Sequence, residues 1–155
     1  MELDATDRRI LELLGRDARA SFRDMARALR LSPSTILVRV RKMQEEGVLK
    51  GFVPLINPEK LGYGVTVAIS VKARGGMLEE VEKEIAQMPN VIAVYDITGE
   101  WDVLVIAKFR DMSELNAFVK RLLSNPNIEH TLTSTVLNCV KEDIAARPEM
   151  LKVMP

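Results

Sequence analysis

The chain has 155 residues, 47% hydrophobic and 28% charged, with 22 Lys and Arg balanced by 22 Asp and Glu. This composition suits one ordinary folded domain or two small ones and excludes a mainly disordered protein. No apolar run approaches the roughly 20 residues of a membrane span, and the opening MELDATDRR lacks the apolar stretch of a signal peptide. A cytoplasmic protein with no membrane partner is therefore expected. Its one cysteine, Cys139, excludes an internal disulfide and fits a reducing compartment.

The zero net charge conceals a division. Residues 1–50 carry 11 Lys and Arg against 8 Asp and Glu, and residues 51–155 carry 11 against 14. The basic excess lies in the first third, and phosphate neutralisation depends on such local placement.

Asp4, with Asp7 three residues on, caps a first helix whose apolar side is Leu3, Ile10, Leu13 and Leu14, with Gly15 as its stop. Ser21 and Asp24 form the capping box of a second helix, in which Phe22, Met25, Ala26 and Leu29 recur at i, i+3, i+4 and i+7. A third helix begins at the cap Ser32 and at Pro33, where no backbone donor is missed, and ends at Gly47. Ile36, Val40 and Met43 form its inward stripe, and the first helix packs across the other two to complete a three-helix core. Ser34, Thr35, Val38, Arg41 and Lys42 face outward, with Arg39 on the flank.

This is the layout of a helix-turn-helix. Short side chains at the front of the last helix, Ser34, Thr35 and Val38, reach base edges, while Arg39, Arg41 and Lys42, with Arg23 on the preceding helix, hold phosphates. Arg16 and Arg19 are further candidates for the phosphate backbone. A lone amphipathic helix with a basic side would more simply be a solvated surface; two helices with these caps and this separation favour a reader of double-stranded DNA.

Residues 48–53, VLKGFV, are β-prone and predict a small hairpin or wing. The stretch LINPEKLGYG breaks both periodicities, which places a helix-turn-helix domain at 1–53, a linker at 54–64 and a second domain at 65–155. In that second domain, strands are expected at 65–72, 91–98, 103–109 and 128–141. One helix aligns Leu78, Val81, Ile85 and Met88; another starts at the Asp111/Glu114 box and packs through Leu115, Phe118, Val119 and Leu122. The order βαββαβ predicts a ferredoxin-like sandwich, both helices on one face of a four-stranded antiparallel sheet. The third strand, VLVIAKF, is apolar at successive positions, so burial on both faces is expected. Helices cover one face; a homodimer packed sheet to sheet would cover the other.

Three segments carry a family likeness: LDATDRRILELL, LSPSTILVRVRKMQEEGVL and TGEWDVLV. With the order of elements, they make the chain resemble, over nearly its full length, the Lrp/AsnC or feast/famine transcription regulators. The resemblance implies an α+β chain: a three-helix, winged-helix-like helix-turn-helix domain followed by a ferredoxin-like effector and oligomerisation domain of the RAM type. It implies a dimer or higher oligomer, often an octamer, that binds promoter DNA and senses a small molecule, commonly an amino acid, at contacts between dimers. It further implies that the turn Gly99, Glu100, Trp101 and Asp102 lines the effector site. Glycine lets backbone amides approach a carboxylate, and aspartate can pair with an α-ammonium. Thr131, Thr133, Ser134 and Thr135 on the last strand offer hydroxyls to the same ligand. The plainer reading is that Gly99 only makes a tight turn and the threonines only favour a strand. Glu100 departs from the commonest form of this turn, and two acids there favour a basic amino acid such as lysine or arginine, or disfavour an acidic one; the plainer alternative is that Glu100 points to solvent.

Other functions fit less well. His130 and Cys139 fall on opposite faces if both lie on one strand, so no nucleophile and base pair is visible. Neither a metal-ligand cluster nor a Gly-rich phosphate loop is present, so no enzyme activity and no cofactor are expected. An architectural DNA-binding protein without effector, and a metabolite-binding module that acts through protein contacts, remain as alternatives.

Overall fold

The computed structural model describes residues 2–142, in two compact units that part between Leu55 and Ile56. Residues 145–155, which sequence assigns to the second domain, lie outside the described residues.

In the first unit, α1 spans Ala5–Arg16. The Asp7 N–H donates to Asp4 at 2.8 Å and the Asp4 N–H donates back to Asp7 at 3.2 Å, closing the capping box. The helix runs through Gly15, because a glycine costs a helix only about 1 kcal/mol and the Asp17 N–H still reaches the Leu13 carbonyl at 3.0 Å. α2 spans Phe22–Leu29. Its box is half closed: Ser21 Oγ accepts the Asp24 N–H, but the Asp24 carboxylate takes the Ser21 hydroxyl at 2.6 Å and so leaves the Ser21 N–H aside. α3 spans Pro33–Glu45, capped by Ser32 Oγ on the Thr35 N–H. Ile10, Leu14, Met25, Ala26, Ile36, Val40 and Met43 form the buried core of the three helices.

The expected wing does not form. Residues 48–53 contain no strand; Leu49 packs instead against the helical core and donates its N–H to the Met43 carbonyl at 3.0 Å. A β-prone run needs a partner strand for its backbone groups, and among the described residues this one has none.

In the second unit, β1 (Val65–Ala73), α4 (Leu78–Ala86), β2 (Val91–Asp96), β3 (Val103–Phe109), α5 (Met112–Leu123) and β4 (Ile128–Thr135) follow in the expected order. The sheet order is β2-β3-β1-β4 with every pairing antiparallel. β2 and β4 are shorter than expected, ending at Asp96 and Thr135. Val67, Ile69, Val71, Val103, Val105 and Phe109 share a buried cluster with Val81 and Ile85 of α4 and Leu115, Phe118 and Leu122 of α5. Phe109 meets Phe118 edge to face at 5.0 Å. On the other face, Leu104 and Ile106 are half-buried; the burial of β3 on both sides is thus incomplete within one chain.

One backbone position in the helical unit is strained. Arg30 closes α2 at φ 56°, the left-handed region, held there by the Leu31 N–H on the Ala26 carbonyl at 2.9 Å. A side chain resists this conformation and glycine does not. Arg30→Gly is therefore expected to stabilise the helical unit by about 0.5–1 kcal/mol, read as a higher midpoint in chemical denaturation.

Candidate nucleic-acid interface and ligand site

The outer face of α3 has the arrangement read from its periodicity. Val38 is 65% exposed, Ser34, Arg41 and Lys42 are exposed, and Thr35 is half-buried. Because Pro33 and the Ser32 cap set the first turn, three hydroxyls gather there. Ser32 Oγ lies 2.8 Å from Ser34 Oγ and 2.7 Å from Thr35 Oγ1. The front of the helix therefore offers hydroxyls and one methyl-rich side chain, Val38, where base edges would stand. Arg23 on α2, and Arg16 and Arg19 before it, are also exposed.

Arg39 is differently placed. Its Nη1 donates to Asp4 Oδ2 at 2.7 Å and to Asp7 Oδ1 at 2.8 Å, joining α3 to the capping box of α1. The guanidinium holds the Asp4 carboxyl below its usual range, after the larger effect of the Asp7 N–H, and the two carboxylates raise Arg39 in turn. These three residues, with Glu2, Ser34, Thr35, Val38 and Lys42, line a cleft of about 550 Å³ in front of the helix. From the sequence alone, Asp4 and Asp7 are only caps. The 32-residue separation of Asp7 from Arg39 carries no local signal of their pairing.

In the second unit, the turn between β2 and β3 is tied to β1. The Asp102 N–H donates to the Val71 carbonyl at 3.1 Å. Its carboxylate accepts Lys72 Nζ at 2.8 Å and the Ala73 N–H at 2.9 Å. The ammonium first, and then the backbone donor, lowers the Asp102 pKa. Gly99 holds φ 123°, a conformation that side chains resist, while nothing stands within 4 Å of where its Cβ would be. The turn itself requires this glycine; no close neighbour within the chain does.

Two adjoining hollows flank this tie and share Lys72 and Glu129. One, of about 210 Å³, is lined by Lys72, Glu100, Trp101, Glu129 and His130; the other, of about 340 Å³, also includes Arg74, Gly75, Gly76 and Asp102. The predicted residues Glu100, Trp101 and Asp102 thus come together here. The hydroxyls do not join them: Thr131 and Thr133 pair with Val71 and Ile69, the helix-covered side of the sheet, whereas Ser134 pairs with Ala68 on the open side. Strand alternation separates them. Lys72 and Glu129 join the site unannounced by any motif, although a lysine in the otherwise apolar and small run VTVAISVKA is a signal, and His130 lines the hollow rather than pairing with a nucleophile. Cys139 lies beyond β4 and is exposed. Among the described residues, no cluster of three or more potential metal ligands exists, and no helix is long and apolar enough to cross a membrane.

Comparison with known proteins matches residues 3–50 to the family model of a winged helix-turn-helix DNA-binding domain and residues 66–146 to that of the Lrp/AsnC ligand-binding domain. The helix-turn-helix-type transcriptional regulator PH1692 of Pyrococcus horikoshii is 45% identical over 96% of this chain and 100% of its own length. Among solved structures, Neisseria meningitidis NMB0573 in complex with L-methionine matches with a TM-score of 0.87 at 28% identity, over 97% of this chain and 100% of that one. Escherichia coli AsnC matches with a TM-score of 0.84 at 27% identity, over 93% and 99%. Both halves of the chain, the DNA-reading helices and the ligand-binding sheet, thus match along nearly their whole length, and the chain belongs to the non-enzymatic Lrp/AsnC family of DNA-binding transcriptional regulators.

Proposed function

We propose that this regulator works in the cytoplasm on promoter DNA as a dimer or higher oligomer, up to an octamer, and senses an amino acid beside the Gly99–Asp102 turn, without any other cofactor. The observation that carries the reading is the exposed outer face of α3, with hydroxyls and Val38 at its front and Arg41 and Lys42 behind. Base contacts specify and phosphate contacts position. Arg41→Ala and Lys42→Ala should each weaken binding to all duplexes and lower the salt slope by about 0.9. Val38→Ala should instead change which sequence is preferred, as read by selection from random duplexes. Equal losses on specific and random DNA for all three would overturn the assignment.

Dimerisation is supported by the open face of the sheet. Tyr95, which pairs with Leu104, is 55% exposed, and Leu132, which pairs with Ser70, is 51% exposed. Together with half-buried Leu104 and Ile106 they form an apolar surface that a second sheet would cover. Sedimentation at micromolar concentration should give at least the mass of two chains, and Tyr95→Asp with Leu132→Asp should move it to that of one. A wild-type protein with the mass of one chain would refute the dimer.

Effector sensing is supported by the charge arrangement. Both Asp102 oxygens already have donors, while Glu100 and Glu129 face the same hollow as Lys72 and His130. An amino acid would place its ammonium against Glu100 or Glu129 and its carboxylate toward Lys72, and the surplus acid favours a basic side chain. Calorimetric titration should show lysine or arginine binding more tightly than methionine, leucine or glutamate; binding of leucine or glutamate alone would contradict this. Coupling to DNA requires that the ligand prefer one assembly over another.

The same tie makes a pH prediction. The Asp102 pKa is lower folded than its ordinary 3.8, so its contribution to stability is present above that value and is lost as pH falls through the folded pKa. Asp102→Asn should be less stable than wild type near neutral pH, and the gap should narrow as pH falls below 3.8, read by thermal unfolding.

A further inference from the structure

Arg39 lies beside the residues of α3 that would face DNA, yet its contacts are internal. All four carboxylate oxygens of Asp4 and Asp7 are occupied: one from each accepts a backbone N–H of the capping box, and the other from each accepts Arg39 Nη1. Asp7 is 2% exposed, so it cannot itself touch a duplex, and its charge is compensated by this arginine. We infer that Arg39 is a positioning residue, which locks α3 to the N-terminus of α1 so that Ser34, Thr35, Val38 and Lys42 meet the groove at one fixed angle, rather than a phosphate contact. The lock rests on the DNA-binding role of α3 and on nothing about the effector.

The geometry supports a role in orientation beyond mere cohesion. The three helices already share a closed apolar core of Ile10, Met25, Ile36, Val40 and Met43, which holds them together but resists sliding and rotation only through packing. Two charge-assisted bonds from one nitrogen, at 2.7 and 2.8 Å, add a directional restraint at the flank of α3. The single guanidinium also offsets one of the two negative charges of the acids that line the cleft in front of the helix together with Ser34, Thr35, Val38 and Lys42, where both carboxylates would otherwise face phosphates.

Asp7→Asn and Asp4→Asn in the full chain separate these roles, because each removes a negative charge near the duplex. Asparagine remains a good cap at position 4, so Asp4→Asn preserves α1. If simple electrostatics governed, both variants would bind DNA more tightly. Positioning predicts weaker binding by about tenfold, ~1.4 kcal/mol, with the salt slope unchanged. It also predicts that Arg39→Ala combined with Asp7→Asn is no worse than Arg39→Ala alone, and that Arg39→Lys recovers part of the loss. Affinities are measured well below each variant's Tm; should Arg39→Ala not fold, Arg39→Lys and the two asparagine variants decide. Three results would overturn the inference: tighter binding by Asp7→Asn and Asp4→Asn, a salt slope lowered by about 0.9 in Arg39→Lys or Arg39→Ala, or a fall in Tm with unchanged affinity. The last would mean cohesion only. Total loss of DNA binding by wild-type protein would instead strike at the reading of α3 itself, which keeps the two failures distinct.

Discussion

β1 is hydrogen-bonded along both edges, to β3 on one side and to β4 on the other, and this double pairing constrains the second unit. A strand held on both edges cannot slip by one residue without turning its whole apolar set outward. Val67, Ile69 and Val71 are therefore committed to the helices, and Thr66, Ala68, Ser70 and Lys72 to the open side. Through register the commitment passes to the neighbours: Leu104 and Ile106 on β3, and Leu132 and Ser134 on β4, must share the open face. An apolar centre on a face that no helix among the described residues covers follows from pairing alone. So does the position of Lys72, at the end of that face, where Asp102 can accept its ammonium.

Features with a local cause were legible in the sequence. The starts of α1, α2, α3 and α5 each carry a Ser or Asp that accepts a backbone N–H three residues on, and such caps act within one turn of chain. The buried stripes followed from periods of 3.6 and 2. The failures have other causes. Residues 48–53 have β propensity, but a strand is made by its partner, and propensity does not supply one. Gly15 stands one residue inside the end of α1, because the backbone leaves the helix only at Asp17, which is extended. Thr131 and Thr133 were grouped with Ser134 by chemistry, although their spacing already put them on opposite faces. Long-range pairs were the least legible: Arg39 with Asp4 and Asp7, and Lys72 with Asp102, join residues about 30 positions apart.

Those two ties share one design. In each, an aspartate accepts one bond from a backbone N–H and another from a cation on a neighbouring element. The backbone bond orients the carboxylate, and the cation then meets an acceptor that is already fixed, so less side-chain freedom is lost than in an exposed pair. Removing either partner leaves a charge whose other contacts were built around it, so breaking such a pair costs more than forming it gains. In both units, then, a charged residue that sequence chemistry would assign to a ligand is engaged within the fold. The groups proposed to meet a ligand include its neighbours: Arg41 and Lys42 on the outer face of α3, and Glu100 and Glu129 at the hollow that Lys72 also lines.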